Sequence, residues 1–561
     1  MKIKLKFLII FFFFTSHKFT VLGNDKFIDP EPYFSKTDNI RKSLKTEKFL
    51  VVTANDYATK IGYKILEQGG TVFDAAVAIQ LVLGLVEPQS SGLGGGTFIT
   101  FFENNSNKIL SYEGRETAPK NIPENIFLDQ NNKPKKFFSA AVGGLSVGVP
   151  GTLKVFYELH KDYGTLKWKN VLAPVINLSK EGFFPPKRLL SALKKEKFFF
   201  NLYPKSNFKK IISDPDKKFK NASYTKTLEK ISEDFTDFYS GEIANNIVKT
   251  VKNSKNSGYL SLDDLKNYEI KKKKAFCRKL ANNYTICGPN LPSSGTICIL
   301  QALKLYEYFI KKNQNILKNT QKDLQLKLSI LNLIYLLRDN YLGDVDFENF
   351  NFDELLDINF LLKYYKNFKL ILNETQSHNN DQIFNSTSHF TLIDKFNNVL
   401  TATSSIESGF GSRLFTNGFF LNNQLTDFSF KKTNYKQETH KNRPLGNKRP
   451  LSSMAPIIVF DNNDEFFLTI GSPGGKAIIS YIFKVLTDIL YKNVNLQESI
   501  ESPNFIKIND KLFFENKELN RLSLENGKVR KLTSGLAVIK KERTHLIGVA
   551  DSRRDGSVRG K

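Results

Sequence analysis

Apolar and polar positions alternate in two different periods along the first part of the chain. The run FLVVTAN at 49–55 predicts a strand, and the amphipathic segment 56–70 predicts a helix that a glycine pair ends. Residues 72–88 are apolar on nearly every side, which predicts a buried helix ended by a proline. A glycine-rich turn then leads into a further strand within 92–102. This order predicts a body that mixes helices and strands.

The middle of the chain has a helical pattern, and the last third has a strand pattern. Residues 24–48 are polar and predicted to be irregular, 148–164 is predicted to be a turn feeding a helix, and 165–345 is predicted to be mostly helical. The polar stretch 373–388 is interpreted as an exposed linker. Beyond it, we predict strands at 389–394, 399–405 and 418–429, and then a strand, a glycine turn and an amphipathic helix at 465–486.

The first two of these late strands are predicted to form a hairpin. A register with Asp394 opposite Val399 places Ser405 opposite Ser388, one residue from Thr387. The hydroxyl groups of the Ser404-Ser405 pair are therefore expected to lie close to Thr387.

The N-terminus has the pattern of an export signal. Three lysines precede an apolar run at residues 7–14, which is shorter than the roughly 18 residues of a membrane span. The small residue Gly23 ends a suitable cleavage site, so we predict a signal peptide at 1–23 and a periplasmic or secreted protein. The alternative is an apolar N-terminal segment that stays attached as an anchor. No stable membrane span is predicted elsewhere.

Composition and charge exclude several classes of protein. The 561 residues, 40% of them hydrophobic, are enough for one large two-part body with a buried core. The net charge of +26 is spread along the chain without a striped basic helix, so we interpret it as a solvated surface and not as a nucleic-acid site. Three cysteines and six histidines lack the spacing of zinc ligands, so no metal site is predicted. Cys277 and Cys287 could pair across a hairpin or remain buried thiols.

Two short segments suggest acyl-transfer chemistry. In GSPGG (471–475), backbone N–H groups at a helix start would be open to a ligand beside Gly474 and Gly475, as in an oxyanion hole; an ordinary tight turn is the alternative. A threonine exposed as a new N-terminus carries both a hydroxyl group and a free amine, which makes it a nucleophile with its own base. Thr387 would become such a residue if the chain were cut before it. No GxSxG motif is present, so an α/β-hydrolase is not indicated.

Nine motifs occur in the order found in one known family. They are ILEQGGTVFDAAVA, EPQSSGLGGG, GRETAP, GVPGT, TSHFTLID, LNNQLTDFS, NKRPLSSM, GSPGG and ADSRRDG. The chain resembles the γ-glutamyltranspeptidases, of the N-terminal nucleophile hydrolase superfamily, over roughly residues 45–561.

The resemblance implies an α+β fold, a four-layer αββα sandwich, and a precursor that cuts itself between Ser386 and Thr387. Residues 24–386 would form a large subunit and 387–561 a small one, both within one body. The implied substrates are glutathione and other γ-glutamyl compounds, with water, amino acids or dipeptides as acceptors. No cofactor is implied.

The resemblance also assigns roles to individual residues. Thr387 would be the nucleophile, Ser405 a hydroxyl that assists it, and Gly474 and Gly475 the oxyanion hole. The substrate-binding residues would be Arg115 and Ser452 at the α-carboxylate, and Gln424, Asp427, Ser453 and Glu407 around the α-ammonium. His389 is expected to be structural.

Two departures and three alternatives stay open. Glu407 stands where many members have Asn, and the segment between Phe428 and the NKRP at 447–450 is intermediate between members with and without a lid over the site. The alternatives are a glutaryl-type acylase, a poly-γ-glutamate depolymerase and an unprocessed homologue that only binds glutamyl peptides. The presence of Thr387, Ser405, Arg115 and GSPGG favours an enzyme.

Overall fold

A computed structural model describes residues 42–366, 386–434, 436–508 and 511–561. The predicted signal peptide at 1–23 and most of the predicted linker, residues 373–385, lie outside these ranges. The last three linker residues, 386–388, are buried and not exposed as predicted, because a strand begins at Thr387.

Nineteen strands lie within the described residues. They are β1 Ser43–Thr46, β2 Leu50–Thr53, β3 Gly96–Glu103, β4 Lys108–Gly114, β5 Lys271–Lys274, β6 Phe276–Lys279, β7 Thr285–Gly288, β8 Thr387–Ile393, β9 Val399–Ser405, β10 Phe415–Thr416, β11 Phe419–Phe420, β12 Ile457–Phe460, β13 Phe466–Gly471, β14 Phe505–Ile508, β15 Lys511–Phe514, β16 Lys528–Val529, β17 Ala537–Glu542, β18 His545–Ala550 and β19 Ser557–Gly560.

Twenty α-helices lie within the same ranges. They are α1 Asp56–Glu67, α2 Val72–Val86, α3 Phe137–Ala141, α4 Thr152–Tyr163, α5 Trp168–Glu181, α6 Lys187–Lys195, α7 Phe198–Leu202, α8 Lys209–Ser213, α9 Ala222–Glu233, α10 Asp237–Ser240, α11 Glu242–Lys252, α12 Leu262–Lys266, α13 Gly295–Lys312, α14 Asn315–Lys318, α15 Thr320–Tyr341, α16 Phe352–Leu355, α17 Ile358–Lys366, α18 Ile478–Lys492, α19 Leu496–Glu501 and α20 Lys517–Leu522.

Two antiparallel sheets, each with seven strands among the described residues, form the centre of the protein. Sheet I has the order β1-β18-β17-β13-β12-β7-β6, and sheet II has the order β19-β2-β8-β9-β3-β4-β5. Strands from distant parts of the chain are neighbours in both sheets, since β19 pairs with β2 and β1 pairs with β18. The segments before and after residue 387 therefore build one body.

Three hydrophobic cores separate four layers. On sheet II, Val51 packs with α1 and α2, whereas its neighbours Leu50 and Val52 face the space between the sheets, because successive residues of a strand point to opposite faces. On sheet I, Ile457 and Leu468 pack with α13, α15 and α18. The order helix, sheet, sheet, helix confirms the predicted αββα sandwich.

The predicted early elements are confirmed as β2, α1, α2, β3 and α4, and three regions differ from prediction. The segment 418–429, predicted to be a strand, contains only the two-residue β11 and then a 3₁₀ turn at Gln424–Asp427. Ser43–Thr46, expected to be irregular, pairs as an edge strand with β18. The predicted helical region 165–345 also contains β5, β6 and β7. β5 is the lysine run 271–274 at the edge of sheet II, a place where charged side chains keep a strand from pairing with another molecule.

The hairpin of β8 and β9 forms, but its predicted register is wrong by one residue. Ile393, and not Asp394, lies opposite Val399. The carboxylate of Asp394 accepts hydrogen bonds from the backbone N–H groups of Phe396 at 2.9 Å and Asn398 at 3.0 Å. Asp394 therefore belongs to the turn, as Asx residues commonly do.

The corrected register strengthens one predicted contact and removes another. Thr387, the first residue of β8, lies directly opposite Ser405. Ser404 lies opposite Ser388, so its side chain points to the other face of the sheet and not to Thr387 as predicted.

One disulfide, Cys277–Cys287, joins β6 to β7 within the described residues. This decides between the two alternatives for these cysteines, and Cys298 is a buried free thiol. None of the described helices is both long and apolar enough to cross a membrane. Nor do the described ranges contain three or more His, Cys, Asp or Glu side chains grouped to hold a metal ion.

Candidate active site

Two hydroxyl groups, of Thr387 and Ser405, and the backbone carbonyl of Ser386 meet where β8 begins. The hydroxyl of Ser405 donates to the backbone carbonyl of Ser386 at 3.0 Å and lies 3.2 Å from Thr387 Oγ1. It also accepts from the backbone N–H of Glu407 at 2.9 Å. A hydroxyl group has one hydrogen and two acceptor positions, so Thr387 must be the donor in its contact with Ser405. The bond between Ser386 and Thr387 thus has its carbonyl oxygen held by Ser405.

His389 lies on the same face of β8 as Thr387 but is enclosed by protein. Its Nδ1 is 2.9 Å from Thr403 Oγ1 and its Nε2 is 3.4 Å from Thr401 Oγ1. Its ring fills the space where Gly471 would carry a side chain, since a Cβ there would lie 2.2 Å from the ring. Burial lowers the pKa of His389 to about 3, so the ring is neutral at physiological pH. These contacts fit the structural role expected for His389.

A buried ion pair supports the opposite face of β8. Arg188 Nη1 lies 3.4 Å from Glu87 Oε2 and donates to Ser90 Oγ at 3.1 Å. Ser90 Oγ in turn is 3.0 Å from Ser386 Oγ, and Ser388 Oγ donates to Glu87 Oε2 at 3.1 Å. The residues on both sides of Thr387 are therefore held by one cluster.

Arg554 connects the start of β8 to the glycine-rich turn after β13. Its Nη1 donates to the carbonyl of Thr387 at 3.0 Å. A Cβ on Gly535 would lie 2.5 Å from Arg554 Cδ and 2.8 Å from Pro473 Cγ, so only a glycine allows these side chains to converge. The GSPGG turn is thus placed near the end of β8 that carries Thr387.

The turn itself has a backbone conformation that favours glycine at two successive positions. Gly474 has φ +134° and Gly475 has φ +56°, values that favour glycine. A Cβ on Gly474 would lie 2.8 Å from Tyr481 Cε2. A short 3₁₀ turn, Gly475–Ala477, follows and leads directly into α18. The first N–H groups of a helix lack partners within it and can donate to an anion.

Glycines also bring β3 close to β9. Gly96 lies opposite Ser405, and a Cβ on Gly95 would lie 2.2 Å from the Ser405 carbonyl oxygen. A Cβ on Gly96 would lie 2.2 Å from Glu116 Oε2. The glycines of GLGGG therefore allow a close backbone approach, which joins the strand of Ser405 to the segment that carries Glu116.

Three of the predicted ammonium-binding residues take part in two hydrogen-bonded pairs that are adjacent along the chain. Glu407 Oε2 accepts from the hydroxyl of Ser408 and from Asn423 Nδ2, the latter at 2.8 Å. The next residue, Gln424, donates from Nε2 to Asp427 Oδ2 at 2.6 Å. Two carboxylates are thus brought to one side of the site.

Arg115 pairs with Asp427 and is completely buried. Its Nη2 donates to Asp427 Oδ2 at 2.7 Å and to the carbonyl of Leu451 at 3.1 Å, and its Nε donates to the carbonyl of Pro450 at 3.1 Å. Glu116 Oε2 is 3.6 Å from Nη1. Burial raises the pKa of Glu116 to about 8, against the opposing effect of Arg115, so Glu116 is mostly neutral at pH 7.

A series of hydrogen bonds and ion pairs connects the RPLSSM loop, predicted to bind the substrate, to the GSPGG turn, predicted to hold the oxyanion. The carbonyl of Ser452 accepts from the hydroxyl of Ser294 at 2.6 Å, and Ser294 Oγ accepts from Arg338 Nε at 2.9 Å. Arg338 Nη1 donates to Asp339 Oδ1 at 2.6 Å, and Asp339 Oδ2 accepts from Lys476 Nζ at 2.8 Å. Lys476 directly follows the GSPGG turn. The end of α15 therefore couples the glycine turn to the RPLSSM loop.

Three of the predicted substrate-binding residues have a buried polar atom without a hydrogen-bond partner among the described residues. They are Arg115 Nη1, Gln424 Oε1 and Ser453 Oγ. Leaving a buried polar group unpaired costs about 1–3 kcal/mol. One donor on a cation, one amide acceptor and one hydroxyl are a set that a zwitterionic ligand would satisfy.

Hydrogen bonds link Thr387 to Ser405, and they link both Arg115 and Gln424 to Asp427. Further residues, none of them assigned from the sequence, contact the segments that carry these side chains. These supporting residues form two groups, one around the start of β8 and one around the end of α15, and they lie outside the predicted catalytic and substrate-binding set. They are Glu87, Ser90, Arg188, Arg554, Ser294, Arg338, Asp339 and Lys476. Glu87, Ser90 and Arg554 lie in the motifs EPQSSGLGGG and ADSRRDG, so a signal was available for them.

Comparisons with known proteins agree with this fold and order of motifs. A family model described as gamma-glutamyltranspeptidase matches residues 58–560. The glutathione hydrolase proenzyme of Bacillus subtilis (strain 168) is 31% identical over 558 residues, 91% of each chain.

Two solved structures are also similar. The cephalosporin acylase from Bacillus halodurans has a TM-score of 0.77 at 20% identity, covering 92% of this chain and 97% of that chain, which supports the fold alone. The gamma-glutamyltranspeptidase from Pseudomonas nitroreducens complexed with L-DON has a TM-score of 0.50 at 29% identity, covering 56% of this chain and 92% of that chain.

The αββα sandwich is the fold of the N-terminal nucleophile hydrolase superfamily. Within this class, the match over residues 58–560 is specific. The chain belongs to the gamma-glutamyltranspeptidase family, whose curated members include glutathione hydrolases.

Proposed function

We propose that this chain is a self-cleaving γ-glutamyltransferase and glutathione hydrolase with Thr387 as its nucleophile. A precursor exported by the signal peptide 1–23 is cut between Ser386 and Thr387, and the subunits 24–386 and 387–561 stay together as one body. The position of Ser405 carries this proposal, because its hydroxyl contacts both the attacking oxygen and the carbonyl that would be attacked.

The cut is an N–O acyl shift followed by hydrolysis. Thr387 Oγ1 bonds to the carbonyl carbon of Ser386, the bond from that carbon to the Thr387 nitrogen breaks, and the hydroxyl proton ends on the new amine. The hydrogen bond from Ser405 to the carbonyl oxygen stabilises the negative charge that develops there. Water then opens the ester, which leaves a carboxylate on Ser386 and restores the Thr387 hydroxyl.

The same hydroxyl then takes the acyl group of the substrate. The free amine of Thr387, with an ordinary pKa of ~7.7–8.0, accepts the proton of its hydroxyl as Oγ1 attacks the γ-carbonyl. The backbone N–H groups at Gly474 and Gly475 hold the oxyanion. The amine of the substrate leaves, and water or an acceptor amine releases the γ-glutamyl group. His389 takes no part, since its ring is buried and both of its nitrogens contact threonine hydroxyl groups.

The unpaired polar atoms match the two charges of a γ-glutamyl group. Arg115 Nη1 can donate to the α-carboxylate, because Glu116 beside it is mostly neutral at pH 7. The α-ammonium can donate to Gln424 Oε1, close to the carboxylate of Asp427. Ser452 and Ser453 complete the carboxylate and ammonium contacts, and Glu407 adds negative charge on the ammonium side.

The name of the Bacillus subtilis relative, glutathione hydrolase proenzyme, agrees with both glutathione as donor and a precursor that is processed. We propose glutathione and related γ-glutamyl amides as donors, and water, amino acids or dipeptides as acceptors, in the periplasm or outside the cell.

Turnover of γ-glutamyl-p-nitroanilide, with and without glycylglycine, tests this function. We expect p-nitroaniline release that glycylglycine accelerates, and none from the Thr387→Ala variant. Equal kcat/KM for glutaryl-p-nitroanilide would instead favour an acylase. An uncut chain that binds γ-glutamyl peptides without turnover would identify a binding protein.

A further inference from the structure

The cluster beneath β8 has no part in the steps described above. It consists of Glu87, Arg188, Ser90 and Ser388, all buried, and it contacts the residue on each side of Thr387. We propose that Ser90 is a positioning residue for cleavage of the chain and not for later turnover. Arg188 holds the hydroxyl of Ser90, and Ser90 in turn fixes Ser386. The carbonyl carbon of Ser386 then faces Thr387 Oγ1. This inference rests on the proposed cut before Thr387.

The chemistry of Arg188 determines which group donates and which accepts in each hydrogen bond of Ser90. Arg188 carries only donors, so Ser90 Oγ must accept from Arg188 Nη1 at 3.1 Å. The one hydrogen of Ser90 can then be donated to Ser386 Oγ at 3.0 Å. Arg188 itself is fixed from α6, where its backbone N–H donates to Asp555 Oδ2 at 3.2 Å. Ser386 is thus tied to a side chain that cannot easily move.

Cleavage requires Ser386 to be held at more than one point. An attacking oxygen and a carbonyl carbon react fastest when they are about 3–3.5 Å apart and aligned. The hydrogen bond from Ser405 fixes only the carbonyl oxygen of Ser386, which leaves rotation about that contact. The contact from Ser90 to the side chain supplies the second point.

The contact between Ser90 and Ser386 no longer affects the reaction once the chain is cut. Ser386 becomes the last residue of the large subunit, and the acyl group that Thr387 attacks then belongs to the substrate. Ser388 differs, because it stays bonded to Thr387 in the small subunit and keeps its hydrogen bond to Glu87 Oε2 at 3.1 Å. Ser90 therefore acts before the cut, whereas Ser388 supports Thr387 both before and after it.

The rate of cleavage and the rate of turnover can be measured separately. We would synthesise labelled full-length precursor in a cell-free reaction and follow its conversion to two fragments on denaturing gels. Ser90→Ala should slow conversion by roughly three- to tenfold, the effect of one neutral hydrogen bond. The matured Ser90→Ala enzyme should keep the wild-type kcat and KM for γ-glutamyl-p-nitroanilide.

Three further variants make the test specific. Ser386→Ala removes the other partner, so it should slow conversion equally, and the Ser90→Ala/Ser386→Ala double variant should be no slower than either. Ser91→Ala is the matched control, because the hydroxyl of Ser91 is buried and has no hydrogen-bond partner in the described part of the chain; it should convert at the wild-type rate. Ser388→Ala should lower both conversion and turnover.

Conversion of Ser90→Ala at the wild-type rate would overturn the inference. So would a matured Ser90→Ala enzyme whose kcat falls with its conversion rate, because the contact would then not be specific to cleavage. If Ser90→Ala does not fold, Ser386→Ala decides the matter by the same criteria. A wild-type precursor that is never cut would refute the proposed function itself, which is a different result.

Discussion

Removing the hydroxyl of Ser405 should slow cleavage of the precursor more than any other single change near the bond except loss of Thr387. Ser405 is the residue that donates to the Ser386 carbonyl and accepts from Thr387. Ser405→Ala removes both contacts, while the paired strands around it remain intact.

The size of the effect follows from what the hydroxyl does. Loss of one donor to a developing oxyanion costs about 2.7–4 kcal/mol, which is about 10²–10³ in rate. The backbone N–H of Glu407 also loses its acceptor, and an unpaired buried donor costs about 1–3 kcal/mol of stability. The rate effect and the stability effect are separable, because the first appears in the cleavage rate and the second in the Tm of the uncut protein.

The assay is the time course of two-fragment formation, with Ser404→Ala as control. Ser404 is adjacent, points to the other face of the sheet, and its buried hydroxyl has no partner within the described ranges. We expect Ser404→Ala to mature at the wild-type rate and Ser405→Thr, which keeps a hydroxyl, to mature faster than Ser405→Ala. Wild-type cleavage by Ser405→Ala would show that Ser405 does not stabilise the oxyanion.

Three other predictions concern the substrate site, the glycine turn and the ion pairs at the end of α15. Asp427→Asn should lower kcat/KM for γ-glutamyl-p-nitroanilide about ten- to a hundredfold, the loss of a charged hydrogen bond, and change glutaryl-p-nitroanilide much less; equal losses would contradict its place at the ammonium. Gly474→Ala should reduce kcat about 10²–10³-fold, since φ is +134° and the new Cβ would meet an aromatic ring at 2.8 Å; normal turnover would remove this turn from the mechanism. Although burial opposes it, pairing with Lys476 and Arg338 lowers the pKa of Asp339 to about 2. Because the pKa of Asp339 is lower in the folded protein than in the unfolded chain, the ionised carboxylate stabilises the fold at pH values above 3.8. This stabilisation is lost as the pH falls toward 2. Asp339→Asn should therefore lower the Tm at pH 6 and approach the wild-type Tm near pH 2, and a constant difference across this range would contradict the assignment.

The sequence predicted the long elements and the order of the motifs well. The period of α1, the continuous apolar run of α2 and the alternation in β8 and β9 are strong local signals. The predicted strands include β2, β3, β8 and β9, four of the seven strands in the sheet that carries Thr387. The four-residue strands β5, β6 and β7 were missed because their lysines and single apolar residues form no lasting pattern. Their pairing depends on neighbours far along the chain.

The register error has a local cause that pattern alone does not reveal. Whether Asp394 ends the strand or begins the turn depends on hydrogen bonds from its carboxylate to the turn backbone. A shift of one residue changed which serine faces Thr387.

The residues that support the site from below were the least predictable. Arg188 lies in a lysine-rich helix, and Asp339 lies near the end of α15, and neither stands out in its own segment. Each becomes meaningful only when folding places it against Ser90 or Lys476. Contacts between residues that lie 98 and 137 positions apart along the chain carry no local signal.

The central claim is that Thr387 becomes the N-terminus of the small subunit and its nucleophile. N-terminal sequencing and intact mass of the purified fragments test it most directly, with Thr387→Ala analysed in parallel. We predict a small fragment that begins at Thr387 and a Thr387→Ala protein that stays as one inactive chain. A fragment beginning at another residue, or an active protein that remains uncut, would contradict the account.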